Sequence, residues 1–146
     1  MFPDDPDVIK VRDAMYDPFE YLMLRHKDGK LNTEFRNTLG KVSYQVPCHL
    51  RVQNIGLKTR DLLQLVPDTQ VEAIERCSGH DGTYAVKKEY HDISKKIARP
   101  VVNRVKKAET DHFISDCPMA ADQISQDLED REGEHPMGLL KHAYGL

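Results

Sequence analysis

Three cysteines are the residues of this sequence whose type and position point most directly to chemistry. Cys48 follows the segment KVSYQVP, Cys77 follows QVEAIER, and Cys117 follows HFISD. Thiolates are ligands for zinc and for iron–sulfur clusters. An odd number of cysteines cannot all pair internally, and in a reducing compartment thiols are more often buried, metal-bound or catalytic than disulfide-linked. The first question is whether the fold brings the three thiols together.

Each cysteine ends a short segment with the composition of a β-strand. The predicted strands cover residues 41–48, 70–77 and 112–117, with helical segments between them. This alternation predicts an α/β fold, a small parallel sheet of three or four strands flanked by helices. Ligands of such sheets bind at the carboxyl ends of the strands, where all three cysteines are expected. Neighbouring strands lie about 5 Å apart, so three thiolates there could share one metal or cluster.

Two histidines are candidates for a fourth ligand, which a zinc site requires. His80 lies three residues after Cys77, and His49 directly follows Cys48. Gly79 allows the tight turn that such a site needs. The alternative is that each cysteine is a small apolar residue at a strand end. Spacing alone does not decide between these interpretations, because the sequence has no CxxC pair.

Other polar residues near the cysteines have simpler explanations. Asp81 and Asp116 could orient ligands, but we expect them to be turn residues that satisfy backbone N–H groups. Arg51 and Gln53 either line a pocket at the strand ends or begin a helix. Five histidines have no partner at ligand spacing and are expected at the surface or in packing contacts. They are His26, His91, His112, His135 and His142.

A long amphipathic helix is predicted between the second and third strands. Its apolar face is expected to contain Val86, Tyr90, Ile93, Ile97, Val101 and Val105. Pro100 lies within this stretch and predicts either a kink or two separate helices.

Length and charge limit the remaining possibilities. The 146 residues fit one domain over 1–146, with a helical lead-in over 1–40 and an α/β core over 41–146. A net charge of −3 predicts no general attraction to nucleic acid. No apolar run is long enough to span a membrane, and the acidic, proline-containing N-terminus is unlike a secretory signal. We therefore expect a cytoplasmic protein.

The cysteine segments resemble a known family. Cys48, the Cys77-Ser78-Gly79 triplet and the Cys117-Pro118 turn are similar to the cysteine-rich CCG domain. That domain occurs in subunits of heterodisulfide reductase, of anaerobic glycerol-3-phosphate dehydrogenase and of related iron–sulfur oxidoreductases. The resemblance implies an electron-transfer role, with an iron–sulfur cluster or, in some members, zinc. Members usually carry two motifs and this chain carries only the second, which implies a redox partner protein or a missing N-terminal half.

Two positions depart from the family pattern. Ser78 stands where the second cysteine of CCG would be, and Ala120 stands where the last cysteine of CxxC would be. A noncubane cluster that uses five thiolates therefore cannot form by the usual ligation. The resemblance implies a smaller cluster or a mononuclear Cys₃His site. The implied ligands are Cys48, Cys77, Cys117 and His80, with His49 as the alternative histidine.

Two other functions fit the same residues. One is a non-enzymatic module, stabilised by zinc or free of metal, whose surface binds a partner. The other is a thiol redox protein in which two of the cysteines pair transiently.

Overall fold

The computed structural model describes residues 2–80, 82 and 85–146. The chain separates into two compact units, Met1–Asn32 and Thr33–Leu146. The first unit contains α1 (Pro6–Ala14) and α2 (Pro18–Lys27). Each helix begins at a proline that directly follows an aspartate. The carboxylates of Asp5 and Asp17 accept hydrogen bonds from backbone N–H groups of the first turn, so these aspartates cap the two helices. The predicted single-domain organisation stays a prediction.

The second unit confirms the predicted α/β class, because its strands alternate with helices. In chain order its elements are β1 (Gly40–Gln45), α3 (Cys48–Gln53), α4 (Lys58–Leu63), β2 (Thr69–Ile74), a 3-10 turn (Lys88–Tyr90), α5 (His91–Ala108), β3 (His112–Ser115), α6 (Pro118–Ser125) and α7 (Pro136–Ala143). None of the described helices combines the length and the apolar character needed to cross a bilayer.

The sheet has three parallel strands in the order β2-β1-β3. Residues 42–45 of β1 are all buried, so both faces of the central strand are covered. At its end, Gln45 lies opposite Ile74 of β2 on one side and Ser115 of β3 on the other. Because the strands are parallel, their carboxyl ends meet at one edge of the sheet.

Helix α5 packs on one face of this sheet. It runs as a single helix through Pro100, so the predicted alternative of two helices is wrong. Its buried side forms one core with residues of β2, β3, α6 and the segment after α6. That core contains Ile74, Ala98, Val101, Val102, Val105, Phe113, Ile124 and Leu128.

The predicted apolar face of α5 is only partly correct. The buried residues of the helix are Ser94, Ala98, Val101, Val102 and Val105. Ile93 and Ile97 are instead each 42% exposed. The cause is the close approach of another segment. A Cβ atom on Gly79 would clash with the Ser94 carbonyl oxygen and would lie 3.2 Å from the Ala98 nitrogen. Only small residues fit the helix face beneath that backbone, so the isoleucines turn outward.

Candidate metal centre

The three cysteines lie in the segments that leave the carboxyl edge of the sheet. The strands are shorter than predicted, with β1 ending at Gln45, β2 at Ile74 and β3 at Ser115. Each cysteine follows its strand by two or three residues. Cys48 is the first residue of α3, and Cys117 is the residue directly before α6.

All three cysteines line one cavity of about 210 Å³. Ser78 and Ala120, which occupy the two positions where the family motif has further thiols, line the same cavity. The five motif positions therefore come together, although they belong to three separate segments of the chain. The structure brings the predicted cysteines to one place, and their role as ligands stays a prediction.

The Cys77 loop is a tight turn held against α5. The N–H of Gly79 donates to Cys77 Sγ at 3.4 Å, and the N–H of His80 donates to Ser78 Oγ at 3.3 Å. Gly79 has a φ of +77°, a conformation that favours glycine. The Ser94 hydroxyl donates to the Gly79 carbonyl oxygen at 2.6 Å. The turn is therefore fixed both internally and to the helix beneath it.

The Cys117 loop is anchored by the two residues that precede the cysteine. The N–H of Cys117 donates to Ser115 Oγ at 3.2 Å. The Asp116 carboxylate accepts hydrogen bonds from the hydroxyl groups of Tyr44 at 2.5 Å and Thr59 at 2.9 Å. Asp116 thereby ties the loop to β1 and α4 and does not line the cavity.

Cys48 begins a short helix directly after Pro47. No side chain caps the first turn of this helix, and the Cys48 side chain is exposed, as is that of Cys77. Cys117 is half-buried, and all three cysteines are free thiols. An exposed thiol at the mouth of a cavity is accessible both to metal ions and to oxidants.

Both candidate histidines line the cavity. His80 enters from the Cys77 loop and His49 from the start of α3. The other five histidines of the chain do not line it. His112 Nδ1 lies 2.8 Å from the Glu134 carboxylate, and His135 Nδ1 accepts the Met137 N–H at 3.2 Å. The choice between His80 and His49 as fourth ligand stays open.

Two arginines place positive charge at the cavity wall. Arg51 and Arg76 both line it, and no described carboxylate does. Within the described part of the chain neither guanidinium forms an ion pair. Gln53 does not line the cavity, and Asp81, for which a turn or orienting role was predicted, lies outside the described residues. The described lining of the cavity therefore includes two cationic residues and no carboxylate.

Zinc and iron–sulfur clusters both take thiolate ligands. Zinc requires ligand atoms about 2.0–2.3 Å from one point. Among the residues that the structure describes, no three His, Cys, Asp or Glu side chains are grouped closely enough to hold an ion. The three thiols therefore share one cavity, and the identity of the cofactor stays a prediction.

Two polar residues near the cavity were not predicted from the sequence. Gln45 lines the cavity, and Ser115 lies beside it in the neighbouring strand. Both are buried, with relative exposures of 2% and 0%. The sequence signal that could have identified them is a polar residue near the end of a strand segment. Gln45 lies three positions before Cys48, and Ser115 lies two positions before Cys117.

Comparison with known proteins agrees with this geometry. The family described as CCG, cysteine-rich domain, matches residues 42–124, a range that contains all three cysteines. A subunit of anaerobic glycerol-3-phosphate dehydrogenase from Escherichia coli (strain K12) is 33% identical over 104 residues, covering 70% of this chain and 26% of that protein. A subunit of fumarate reductase (CoM/CoB) from Methanothermobacter marburgensis is 30% identical over 97 residues, covering 64% of this chain and 19% of that protein.

The chain spans about a quarter or less of the length of these relatives. No solved structure matches it. The family match covers more than half of the chain and includes every motif position that lines the cavity. The chain belongs to the CCG cysteine-rich domain family.

Proposed function

We propose that this chain is an electron-transfer domain of a heterodisulfide reductase-related oxidoreductase, and that it holds an iron–sulfur cluster through Cys48, Cys77 and Cys117. One observation carries the proposal: three thiols from three separate segments of the chain line a single cavity. The names of the matched relatives, which are subunits of a dehydrogenase and of a reductase, support the reaction class.

The bound cluster would supply one-electron transfer, and the protein would hold and tune it. The three thiolates are the proposed ligands, with His80 as the fourth and His49 as its alternative. The N–H of Gly79 donates to Cys77 Sγ at 3.4 Å. Hydrogen bonds to ligand sulfur stabilise its negative charge and tune the reduction potential.

The two arginines at the cavity wall have an electrostatic role in this proposal. Arg51 and Arg76 form no ion pair within the described residues, so their charges are available to an occupant of the cavity. A cluster held by three thiolates is anionic. Adjacent cations stabilise it, more strongly where the surroundings exclude water.

An electron donor and an acceptor must come from elsewhere, because a domain with one redox centre cannot complete a reaction alone. We propose a redox partner protein or an N-terminal half of a longer protein as their source. The short coverage of the relatives, about a quarter or less of their length, supports this view. The cytoplasmic location and the absence of nucleic-acid binding stay predictions.

Anaerobic purification followed by reconstitution with iron and sulfide tests the proposal. We expect visible absorption from sulfide-to-iron charge transfer, stoichiometric iron and acid-labile sulfide, and an EPR signal after reduction. Cys48→Ala, Cys77→Ala and Cys117→Ala should each lose this cofactor. His142→Ala is the control, because His142 does not line the cavity. Comparable iron retention in the three cysteine variants and the wild type would exclude the proposed site.

Two other outcomes would support the alternative functions. A colourless protein with one zinc per chain would indicate a non-enzymatic module. A metal-free protein that forms an intramolecular disulfide after mild oxidation, detected by mass spectrometry, would indicate a thiol redox protein. The same preparation therefore distinguishes the three functions.

A further inference from the structure

Gln45 is a buried polar side chain located where the cysteine loops leave the sheet. Its Nε2 donates to the carbonyl oxygens of Val46 and Arg76, both at 3.0 Å. Its Oε1 accepts the Ser115 hydroxyl at 2.8 Å. Ser115 Oγ in turn accepts the N–H of Cys117 at 3.2 Å. One amide therefore connects the segments that lead to Cys48, Cys77 and Cys117.

These bonds satisfy backbone groups that the sheet no longer pairs. β2 ends at Ile74, so the Arg76 carbonyl lies beyond the hydrogen-bonded ladder. Buried and part-buried backbone groups require partners, and Gln45 provides one here. An apolar residue at position 45 would fill the same core without making any of these bonds. The main contribution of the Gln45 amide is therefore to hold the loops through hydrogen bonds, and not to fill the core.

A second chain of hydrogen bonds connects the same loops from the helical side. Gln123 Nε2 donates to Ser94 Oγ at 2.9 Å, and the Ser94 hydroxyl donates to the Gly79 carbonyl at 2.6 Å. Gln123 is 3% exposed and Ser94 is 0% exposed. Gln123 lies on α6, which begins directly after Cys117, and Gly79 lies two residues after Cys77. The Cys77 and Cys117 loops are thus linked both through the sheet and through α5.

We propose that Gln45 and Ser115 are positioning residues of the metal centre, which fix the Cys77 and Cys117 loops relative to each other before any metal binds. The consequence for the metal rests on the proposed function, whereas the consequence for the metal-free chain rests on geometry alone. Groups that orient metal ligands affect metal affinity by about 10–100-fold when they are removed. Loss of this pair should therefore weaken the centre without abolishing it.

Two buried serines provide a matched test. Ser115 and Ser43 are both 0% exposed, and each forms a side-chain hydrogen bond of 2.8 Å, Ser115 to Gln45 and Ser43 to Thr110. Only Ser115 also bonds a cysteine loop. Ser115→Ala is the test variant, Ser43→Ala controls for the loss of a buried hydroxyl, and Ser115→Thr retains the hydroxyl.

In the iron-loaded protein we expect Ser115→Ala to release iron to a chelator about tenfold faster than the wild type and to change the EPR spectrum. Ser43→Ala should leave both properties unchanged, and Ser115→Thr should restore both. Equal release rates and identical spectra in the two alanine variants would overturn the proposal.

Hydrogen exchange of the metal-free chain separates this inference from the proposed function. Ser115→Ala should lose amide protection around Cys117 and also in residues 76–80, because Gln45 loses a partner that fixes its amide. Ser43→Ala should lose protection in neither segment. A loss confined to the Cys117 segment would overturn the role of Gln45 even if iron binds. If the wild type binds no iron, the proposed function fails and the exchange pattern alone decides the positioning role.

Discussion

At the amino edge of the sheet the polar groups bond one another, whereas at the carboxyl edge they bond the loops that carry the cysteines. The N–H of Lys41 donates to the Asp111 carboxylate at 2.9 Å, and the N–H of Asp111 donates to the Lys41 carbonyl at 2.8 Å. Ser43 bonds Thr110, whose carbonyl accepts Arg131 at 2.6 Å. These bonds close the amino edge and involve neither a cysteine nor a histidine.

The carboxyl edge uses the same residue types differently. Gln45 and Ser115 bond the backbone of segments that have left the sheet, so the loops are held at defined positions. The chain leaves all three parallel strands at this edge, which is why the loops with the cysteines meet there.

Donor chemistry, and not cavity volume, identifies which of the two edges is the candidate ligand site. A cavity of about 410 Å³ lies against the first residues of β1 and β2, and neither cysteine nor histidine lines it. The cavity that all three cysteines line at the carboxyl edge has half that volume, about 210 Å³, and two histidines line it as well. A ligand site is therefore identified here by the side chains and not by the volume.

Cys77→Ala should have the largest effect, because it removes one of three thiols from the cavity. We expect bound iron to fall to background and the melting temperature of the loaded protein to fall to that of the metal-free chain. The metal-free variant should unfold within about 0.5 kcal/mol of the wild type, because the Cys77 side chain is exposed. Metal content and melting that are both unchanged would refute the site.

Ser78→Cys combined with Ala120→Cys should strengthen metal binding at the carboxyl edge and leave the amino edge unchanged. Both residues line the cavity, so the double variant would offer five thiols to a cluster. We expect iron release at least about tenfold slower than in the wild type, the factor that ~1.4 kcal/mol of added binding provides. Ser43→Cys, which adds a thiol away from the cavity, should not slow release. Equal effects of the two designs would contradict the motif-based site.

One glycine at each edge of the sheet allows the rigidity of the two edges to be compared by substitution. Gly79 and Gly40 both have positive φ, +77° and +60°. A Cβ at Gly79 would clash with a backbone carbonyl of α5, whereas one at Gly40 would clash with the carboxylate of the exposed Asp111. The Asp111 side chain can rotate away, with loss of its hydrogen bond from the Lys41 N–H, whereas the backbone of α5 cannot move aside.

We therefore expect Gly79→Ala to reduce the free energy of unfolding by about 3 kcal/mol and Gly40→Ala by about 1–2 kcal/mol. Urea unfolding of both metal-free proteins measures the difference. Equal losses would show that the Cys77 turn can move off α5.

Asp130→Asn, a substitution near the amino edge, should have the smallest effect on stability. A hydrogen bond from Arg131 holds the pKa of Asp130 below its ordinary value of 3.8, although burial opposes this. Because the pKa is lower in the folded state, the stabilisation is fully present above about pH 4 and is lost as the pH falls through the lowered pKa. The carboxylate is exposed, so the difference in melting temperature between wild type and variant should be small. A difference that grows on acidification would contradict this assignment.

Local patterns were sufficient to predict the strands and the class of the fold. The β-type segments before Cys48, Cys77 and Cys117 correspond to the three parallel strands. Residues 42–45 of the central strand β1 are buried because both of its faces are covered, whereas the edge strand β2 alternates between half-buried and exposed positions up to its buried last residue. The packing of α5 was not predictable in this way. The approach of Gly79 selects Ser94 and Ala98 for the buried face, and that contact joins residues that are distant in the chain.

The amino-acid sequence by itself determined the family, the α/β class and the location of each cysteine just after a strand. Only the tertiary structure decided that the five motif positions share one cavity, that two arginines border it and that Gln45 links its loops. The physical reason is the separation along the chain over which each kind of interaction acts. Strand composition and turn residues act within a few positions, whereas the cavity and its hydrogen bonds exist only when segments 30 to 70 residues apart come into contact.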